Sequence, residues 1–355
     1  MTKELKSKKV VVAMSGGIDS SVAAVLLKKQ GFDVVGVFMK FWSEPAKNGI
    51  CAKNRCCTPE SEKRARLVAR EIGIPFYVFN LEKEFKMKVV DYFLKQQKLG
   101  FTPNPCVVCN KEIKLGLLLK KALALNIDYV ATGHYVRAGR GYKLLKGRDK
   151  NKDQSYVLWK LNQKTLSHLL FPVGGYTKDE VRKLAKKFNL PVLDIPESQE
   201  ICFIQTTVNN FLSRYLKQRQ GEIIDIKGNT LGEHNGLHFY TIGQRKGLNL
   251  PDGPFYVLDK DIRKNILIVT KDERGLYKKE LIAKDINWIS GKEPKLPLKI
   301  KAKIRYRHEP APAVIKKVGR SKYKVIFSKP QRAITPGQSV VFYNSQEVLG
   351  GGIIA

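Results

Sequence analysis

The sequence predicts a doubly wound α/β domain built on a parallel sheet, then a small central α+β domain, then a C-terminal β-barrel. Three observations carry this. Apolar runs of strand length alternate with helical patterns as far as residue 205, the arrangement of an open α/β sheet. From Thr206 the chain turns to one helix and a glycine-rich β segment. Beyond about residue 280 only short strands and turns remain, which reads as a small barrel. The expected domains are therefore 1–205, 206–279 and 280–355.

The first strand and helix frame the stretch around which the rest is organised. Residues 10–14 (V-V-V-A-M) form a short buried strand, and 22–27 continue as a helix closed by Gly31. Between them lies Ser15-Gly16-Gly17-Ile18-Asp19-Ser20-Ser21. Two glycines allow a tight turn in which helix N-terminal amides and small hydroxyls surround an anion. The Gly-Lys-Ser/Thr ending of a P-loop is missing, so a triphosphate is not held in that manner. An S-G-G alone is equally the turn of an ordinary strand-to-helix connection. The whole S-G-G-x-D-S string after an apolar strand is more specific.

Residues 34–39 give a second strand with Met39 at its C-terminal end, the edge outside which nucleotides bind in open parallel sheets. A loop follows over 41–57. Thr58 then caps a helix with Pro59 in its first position, running to about residue 72. Residues 75–80 make a third strand, 82–97 a helix and 127–132 a fourth strand. Before that strand, T-P-N-P-C-V-V-C-N-K-E places Cys109 at or near the start of a helix reaching residue 125. A thiol in a first helical turn is shifted towards thiolate. Cys106 and Cys109 read equally as half a zinc site or as structural cysteines, and Cys51, Cys56 and Cys57 offer further thiolates for a four-ligand set.

Ala131-Thr132-Gly133-His134-Tyr135 ends the fourth strand on the same edge as the first loop. A lone His is usually structural, and its position is what singles this one out. Residues 137–152 form a basic hairpin-like segment, Asp153-Gln154-Ser155-Tyr156 opens a helix, and Thr177 with Glu180 makes a capping box for the next. Cys202, in D-I-P-E-S-Q-E-I-C-F, closes the domain; by itself it is a weak signal, because buried Cys is common.

A helix over 208–220 precedes the glycine-rich segment. There His234 and His238 lie four apart with Gly236 between them and no third ligand in view, which argues against zinc. Inside the barrel region, residues 299–307 (K-I-K-A-K-I-R-Y-R) alternate strictly. On one strand this puts five cations on one face, spaced roughly 6.6–6.8 Å apart, a match to successive phosphates. A solvated outer face is the plain alternative, although such faces usually carry both signs.

Composition points the same way. The 355 residues hold 65 Lys and Arg against 32 Asp and Glu, a formal charge of +33. Such an imbalance costs self-repulsion and suits a polyanion, nucleic acid above all. Apolar runs fall short of the roughly 18 residues of a membrane span, and the strand after the basic start is too short for a signal peptide. The expected location is the cytoplasm, where six Cys favour catalysis or metal binding over a disulfide framework.

The S-G-G-x-D-S string resembles the PP-loop of ATP pyrophosphatases, which split ATP into AMP and pyrophosphate while adenylating a substrate. Taken with G-V-F-M-K-F-W, T-P-N-P-C-V-V-C-N-K-E-I-K, A-T-G-H-Y, K-D-Q-S-Y, S-Q-E-I-C-F-I, T-I-G-Q-R-K-G-L, K-I-R-Y-R and T-P-G-Q, nearly the whole chain resembles the bacterial tRNA-specific 2-thiouridylases. That resemblance implies a PP-loop domain, a small central domain and a C-terminal barrel. It implies ATP-dependent 2-thiolation of the wobble uridine in tRNAs such as those for Lys, Glu and Gln. ATP with Mg2+ adenylates the C2 oxygen, and a persulfide on Cys202, loaded by a cysteine desulfurase or a relay protein, supplies the sulfur. Cys109 matches the family's other catalytic thiol, a disulfide partner for Cys202.

Carried over by position, Ala13, Met14, Ser15, Gly16, Gly17, Ile18, Asp19, Ser20, Met39 and Gly133 bind ATP, with Asp19 close to the metal-bound phosphates. His134, Lys152, Asp153, Gln154, Arg305, Tyr306 and Gln338 contact tRNA. One departure stands out. Some members have Asp where this chain has Cys106, and the resulting set of Cys106, Cys109 and Cys202 also resembles related thiolation enzymes that hold a 4Fe–4S cluster by three cysteines. Both routes fit the sequence. A small-molecule PP-loop ligase is the rival enzyme, but no glutaminase nucleophile segment is recognisable. An RNA-binding protein with a dead nucleotide fold is the non-enzymatic rival, set against an intact loop and both thiols.

Overall fold

The computed structural model describes residues 8–44, 57–192 and 201–355. Cys51, Cys56 and residues 194–200 of the segment before Cys202 lie outside the described residues. The N-terminal part alternates β1 (Lys9–Ala13), α1 (Ile18–Lys29), β2 (Asp33–Lys40), α2 (Pro59–Glu71) and β3 (Phe76–Asn80). Gly31, with φ at +87°, ends the first helix where a side chain would be strained. Thr58 caps α2 by accepting from the Ser61 N–H at 3.1 Å, with Pro59 in the first turn.

The next helical stretch runs as α3 (Glu82–Phe85), a π-helical piece (Lys86–Val90) and α4 (Asp91–Lys98). After it come α5 (Pro105–Cys109), a second π-helical piece (Asn110–Leu117) and α6 (Leu118–Ala124). Then follow β4 (Tyr129–Ala131), a hairpin of β5 (Val136–Gly139) and β6 (Lys143–Lys146), α7 (Gln163–Leu166), β7 (Leu169–Leu170) and α8 (Lys178–Lys187). The capping box of Thr177 and Glu180 is formed in both directions.

One parallel sheet has the order β3-β2-β1-β4-β7. The chain winds outward from β1 to β3 and then crosses back to β4, so the switch point lies between β1 and β4. A doubly wound sheet opens its binding crevice there. Both the S-G-G loop and Gly133-His134 leave the sheet at this point. The central part comprises α9 (Val208–Tyr215), β8 (Gly221–Ile224), β9 (Thr230–His234), β10 (Tyr256–Asp261) and β11 (Ile266–Thr270), in the strand order β10-β11-β8-β9. Its own small core includes Ile223, Val257, Leu267 and Val269.

The C-terminal part has β12 (Tyr277–Trp288), β13 (Leu298–Lys303), β14 (Ala311–Lys317), β15 (Tyr323–Arg332), β16 (Ser339–Asn344) and β17 (Glu347–Ile354). Pairing runs β12-β15-β14-β13-β16-β17, and β17 returns to β12, which closes a six-stranded antiparallel barrel. The β5–β6 hairpin attaches to this barrel through Leu145 and Glu347. Barrel residues Ile289, Val341, Tyr343 and Val348 belong to the N-terminal core. Trp159, fully buried, donates from Nε1 to Ser339 Oγ at 3.0 Å, and the Tyr156 hydroxyl donates to the Ser339 carbonyl at 2.8 Å. The barrel is therefore locked against the α/β domain, which brings its end onto the sheet edge.

Four expectations need correction. Asp153-Gln154-Ser155-Tyr156 opens only a 3-10 turn (Ser155–Val157), because Asp153 spends its carboxylate on Gly147 and on Ser155. The helix expected over 208–220 ends at Tyr215. The thiol in the first turn of its helix is Cys106, not Cys109, because the helix already starts at Pro105 with Asn104 capping it. The alternating strand stops at Lys303, and Arg305 to Arg307 lie in a turn. Lys303 is itself buried, so five cations do not share one open face. Among the described residues no helix is long and apolar enough to cross a membrane.

Candidate active site

The S-G-G loop is shaped by contacts that leave no room for side chains. Gly16 has φ at +72°, and a Cβ there would lie 2.1 Å from the Ser61 carbonyl oxygen. Arg64 holds the same turn, donating from Nε to the Gly16 carbonyl at 3.2 Å. Ser20 Oγ accepts from the Ser15 N–H at 3.1 Å and donates to the Gly17 carbonyl. Gly133 arrives from the neighbouring strand so closely that a Cβ would stand 2.7 Å from the Ser20 nitrogen. Ala13 to Ser20 and Gly133 thus form one close-packed unit at the switch point. Met39 ends the adjacent strand and is 9% exposed.

Asp19 is the charged centre of this unit. Lys178 Nζ contacts both of its oxygens, at 2.7 and 2.9 Å, and the Tyr135 hydroxyl donates to one of them at 2.6 Å. The lysine side chain is only 6% exposed. Sequence analysis does not single out Lys178. A signal was present, because a cation in the first turn opposes the helix dipole and needs another reason to be there.

Asp19 opens onto a cleft of about 960 Å³ that also receives Cys106, Cys109, His134 and Cys202. Cys106 is exposed, Cys109 buried and Cys202 intermediate. The three-cysteine set does not gather as a ligand cage. No group of three or more His, Cys, Asp or Glu among the described residues is arranged to hold a metal ion. Cys57 lies elsewhere, its sulfur accepting from the Phe41 N–H.

His134 sits beside the loop with Nδ1 2.8 Å from Thr132 Oγ1. Burial, with a smaller contribution from the Lys114 charge, pushes its pKa down to about 3. It is therefore a neutral hydrogen-bonding group near pH 7 and adds no charge for phosphate. Lys152, Asp153 and Gln154 line the same cleft. Asp153 is occupied with its own turn, and Gln154 Oε1 accepts from the Tyr135 N–H at 2.9 Å. These two side chains shape the wall.

The barrel supplies the remaining wall through Lys303, Tyr306 and Arg307. Burial lowers the pKa of Lys303, whose Nζ stands 5.8–5.9 Å from the Tyr156 and Tyr306 rings. Tyr306 is 40% exposed, which leaves a ring face on which a base can stack. Two residues expected at the nucleic-acid surface lie outside the cleft. Arg305 donates to the Ala333 carbonyl at 2.8 Å, and Gln338 Nε2 donates to the Thr102 carbonyl at 2.8 Å.

Three family models match the chain in succession. That described as a tRNA methyl transferase HUP domain covers residues 8–206, a tRNA methyl transferase PRC-barrel domain covers 209–271, and an aminomethyltransferase beta-barrel domain covers 278–354. A tRNA-specific 2-thiouridylase MnmA of Clostridioides difficile is 48% identical, with 98% of both chains covered. One from Geobacillus thermodenitrificans is 45% identical over 100% of this chain and 96% of its own length. Among solved structures, the U34-tRNA thiolase NcsA from Methanococcus maripaludis with its [4Fe-4S] cluster aligns at 18% identity and a TM-score of 0.37. The alignment covers 60% of this chain and 67% of that one, a likeness too low to bear on function.

Proposed function

The chain belongs to the tRNA-specific 2-thiouridylase MnmA family, and we propose that its cleft carries out ATP-dependent 2-thiolation of the wobble uridine of tRNA, in tRNAs such as those for Lys, Glu and Gln. One observation supports this reading above the others: Asp19 of the PP-loop and the thiols Cys109 and Cys202 open onto a single cleft with basic and aromatic walls.

ATP lies against Ala13 to Ser20, Met39 and Gly133. Asp19 is the loop carboxylate that would face Mg2+ bound to those phosphates, and the ion would supply charge neutralisation for the departing pyrophosphate. The uridine O2 attacks the α-phosphorus, pyrophosphate leaves, and the N3 proton is lost to solvent. The terminal sulfur of a Cys202 persulfide then attacks C2, and the C2–O bond breaks with its electron pair going to AMP. The Cys109 thiolate attacks the Cys202 sulfur, which forms a Cys109–Cys202 disulfide and releases the sulfur on C2 as the thiouridine. A thiol reductant restores both cysteines, and a cysteine desulfurase or relay protein reloads Cys202. The cluster route is set aside, because the cysteine set does not fit a metal cage. The tRNA lies across the cleft, with Lys152 and Tyr306 at its walls, and the enzyme works in the cytoplasm.

The test is tRNA-dependent AMP formation together with mass-spectrometric detection of 2-thiouridine, in the parent and in three variants. Cys202→Ser and Cys109→Ser should each stop thiolation, while Cys106→Asp should retain it in iron-free protein. Thiolation surviving in Cys202→Ser would sink the persulfide assignment.

A further inference from the structure

The proposed reaction puts an anion in the cleft to which no residue has yet been assigned. Between its two halves the uridine carries AMP on O2, and the phosphate gains charge as the C2–O bond breaks. It must lie between the PP-loop, where it came from ATP, and the thiols, where C2 is attacked. A cation at that point would act on charge that develops in the transition state.

Five cationic side chains line the cleft among the described residues: Lys114, Lys150, Lys152, Lys303 and Arg307. Lys150 and Lys152 come from the segment after the hairpin, and Lys303 and Arg307 from the barrel. Lys114 alone comes from the helix that carries Cys106 and Cys109. Its charge acts on His134, the neighbour of Gly133, which packs on the PP-loop. Lys114 therefore faces the ground between loop and thiols.

The helix is built to put it there. Cys109 and Lys114 are five residues apart, and the chain between them enters the π-helical piece Asn110–Leu117. In an α-helix at 3.6 residues per turn, positions five apart point about 140° away from each other. In a π-helix, with about 4.4 residues per turn, they diverge by only about 50°. The wider turn is what lets both side chains line one cleft. Gly116 permits it. A Cβ at Gly116 would stand 2.2 Å from the carbonyl oxygen of Lys111, five residues back, towards which a π turn directs the residue's N–H. Single π turns inside helices recur at functional sites, and this one has a sequence cause.

We infer that Lys114 is a further catalytic residue: its ammonium contacts the phosphate of the adenylated uridine and stabilises AMP as it leaves, and the Gly116 π turn aims it at the thiol face. The inference rests on the thiolation reading above. Parent, Lys114→Met, Lys114→Arg and Gly116→Ala are compared in single-turnover thiolation by persulfide-loaded enzyme, alongside tRNA affinity, KM for ATP and melting temperature. Lys114→Met should slow thiolation about 100- to 1000-fold, the usual loss for one preorganised charge contact, with tRNA affinity and KM within about threefold. Lys114→Arg should recover at least about a tenth of the parent rate. Gly116→Ala keeps the lysine yet should be slowed like Lys114→Met; if it fails to fold, the two Lys114 variants decide. A Lys114→Met rate within about threefold of parent would overturn the assignment. So would a loss explained by weaker tRNA binding, or an arginine no faster than methionine. Failure of the parent to thiolate sinks the functional reading instead, so the two failures are told apart.

Discussion

Removing either partner of the Asp19–Lys178 pair should have unequal consequences for stability. Lys178 is 6% exposed and Asp19 30% exposed. Asp19→Ala takes from a buried ammonium the carboxylate it touches at 2.7 and 2.9 Å. Breaking a fully buried pair from one side costs about 3–5 kcal/mol; partial exposure of Asp19 lowers the expectation to about 2–4 kcal/mol. Lys178→Met leaves instead a carboxylate that water reaches and that still accepts from Tyr135, so about 1 kcal/mol should be lost. The double variant should be more stable than Asp19→Ala alone, since it removes the buried charge together with the carboxylate that faces it. Urea unfolding of the four proteins, read by intrinsic fluorescence, measures this as a double-mutant cycle. All three variants should lose tRNA-dependent AMP formation, which separates the pair's role in the site from its role in the fold. Equal costs for the two single variants, with an additive double, would refute the argument.

Gly133→Ala should lower AMP formation by at least about 100-fold and stability by about 1–3 kcal/mol, because its Cβ would meet backbone of Asp19 and Ser20 at 2.7–2.8 Å; parent-like turnover would remove Gly133 from the nucleotide site. Lys299 and Lys301 are the exposed cations of β13; if both meet phosphates, the double alanine variant should reduce the salt slope of log tRNA affinity by about 1.4–1.8, and an unchanged slope would make this a solvated face. His134 has a folded pKa of about 3 against an ordinary 6.5, so the unfolded chain takes the proton first as pH falls. Its contribution is complete above pH 6.5 and declines towards pH 3 by up to about 1.4 kcal/mol per unit. A His134→Asn variant should show a shallower acid-side decline than the parent, checked by denaturation midpoints between pH 4.5 and 7.

The parts of this site that could be read in the sequence are those fixed by neighbours along the chain. Ser15 to Ser20 and the Thr58 and Thr177 caps depend on residues a few positions away, and each formed as expected. What escaped depends on partners far off. Lys178 reaches Asp19 across 159 positions, and no pattern local to either residue shows it. Lys303 keeps the alternation of its strand but is covered by Tyr156 and Tyr306, which arrive from another domain and from the following turn. A strict period of two says which side chains share a face and is silent on what packs over that face. The π turn was missed for another reason: periodicity read at 3.6 residues cannot register a local widening, and the only mark it leaves is a glycine inside an otherwise ordinary helix.

The same distinction explains where Gln338 belongs. Carried over by resemblance, it is a tRNA contact, yet its amide donates to the Thr102 carbonyl, and the Thr102 N–H donates back to Pro336. Gly337 between them has φ at +89° and leaves no space for a Cβ beside Phe101 and Thr102. The central domain grips the same segment, through Lys260 Nζ on the Gly100 carbonyl. Four residues on from Gly100, Asn104 caps the helix of Cys106 and Cys109. A segment hydrogen-bonded by both downstream domains sets where the thiol helix begins, and therefore where Cys109 and Lys114 point. In this arrangement the two later domains act on the chemistry through the backbone of residues 100–104, whatever they also contribute as a surface for tRNA.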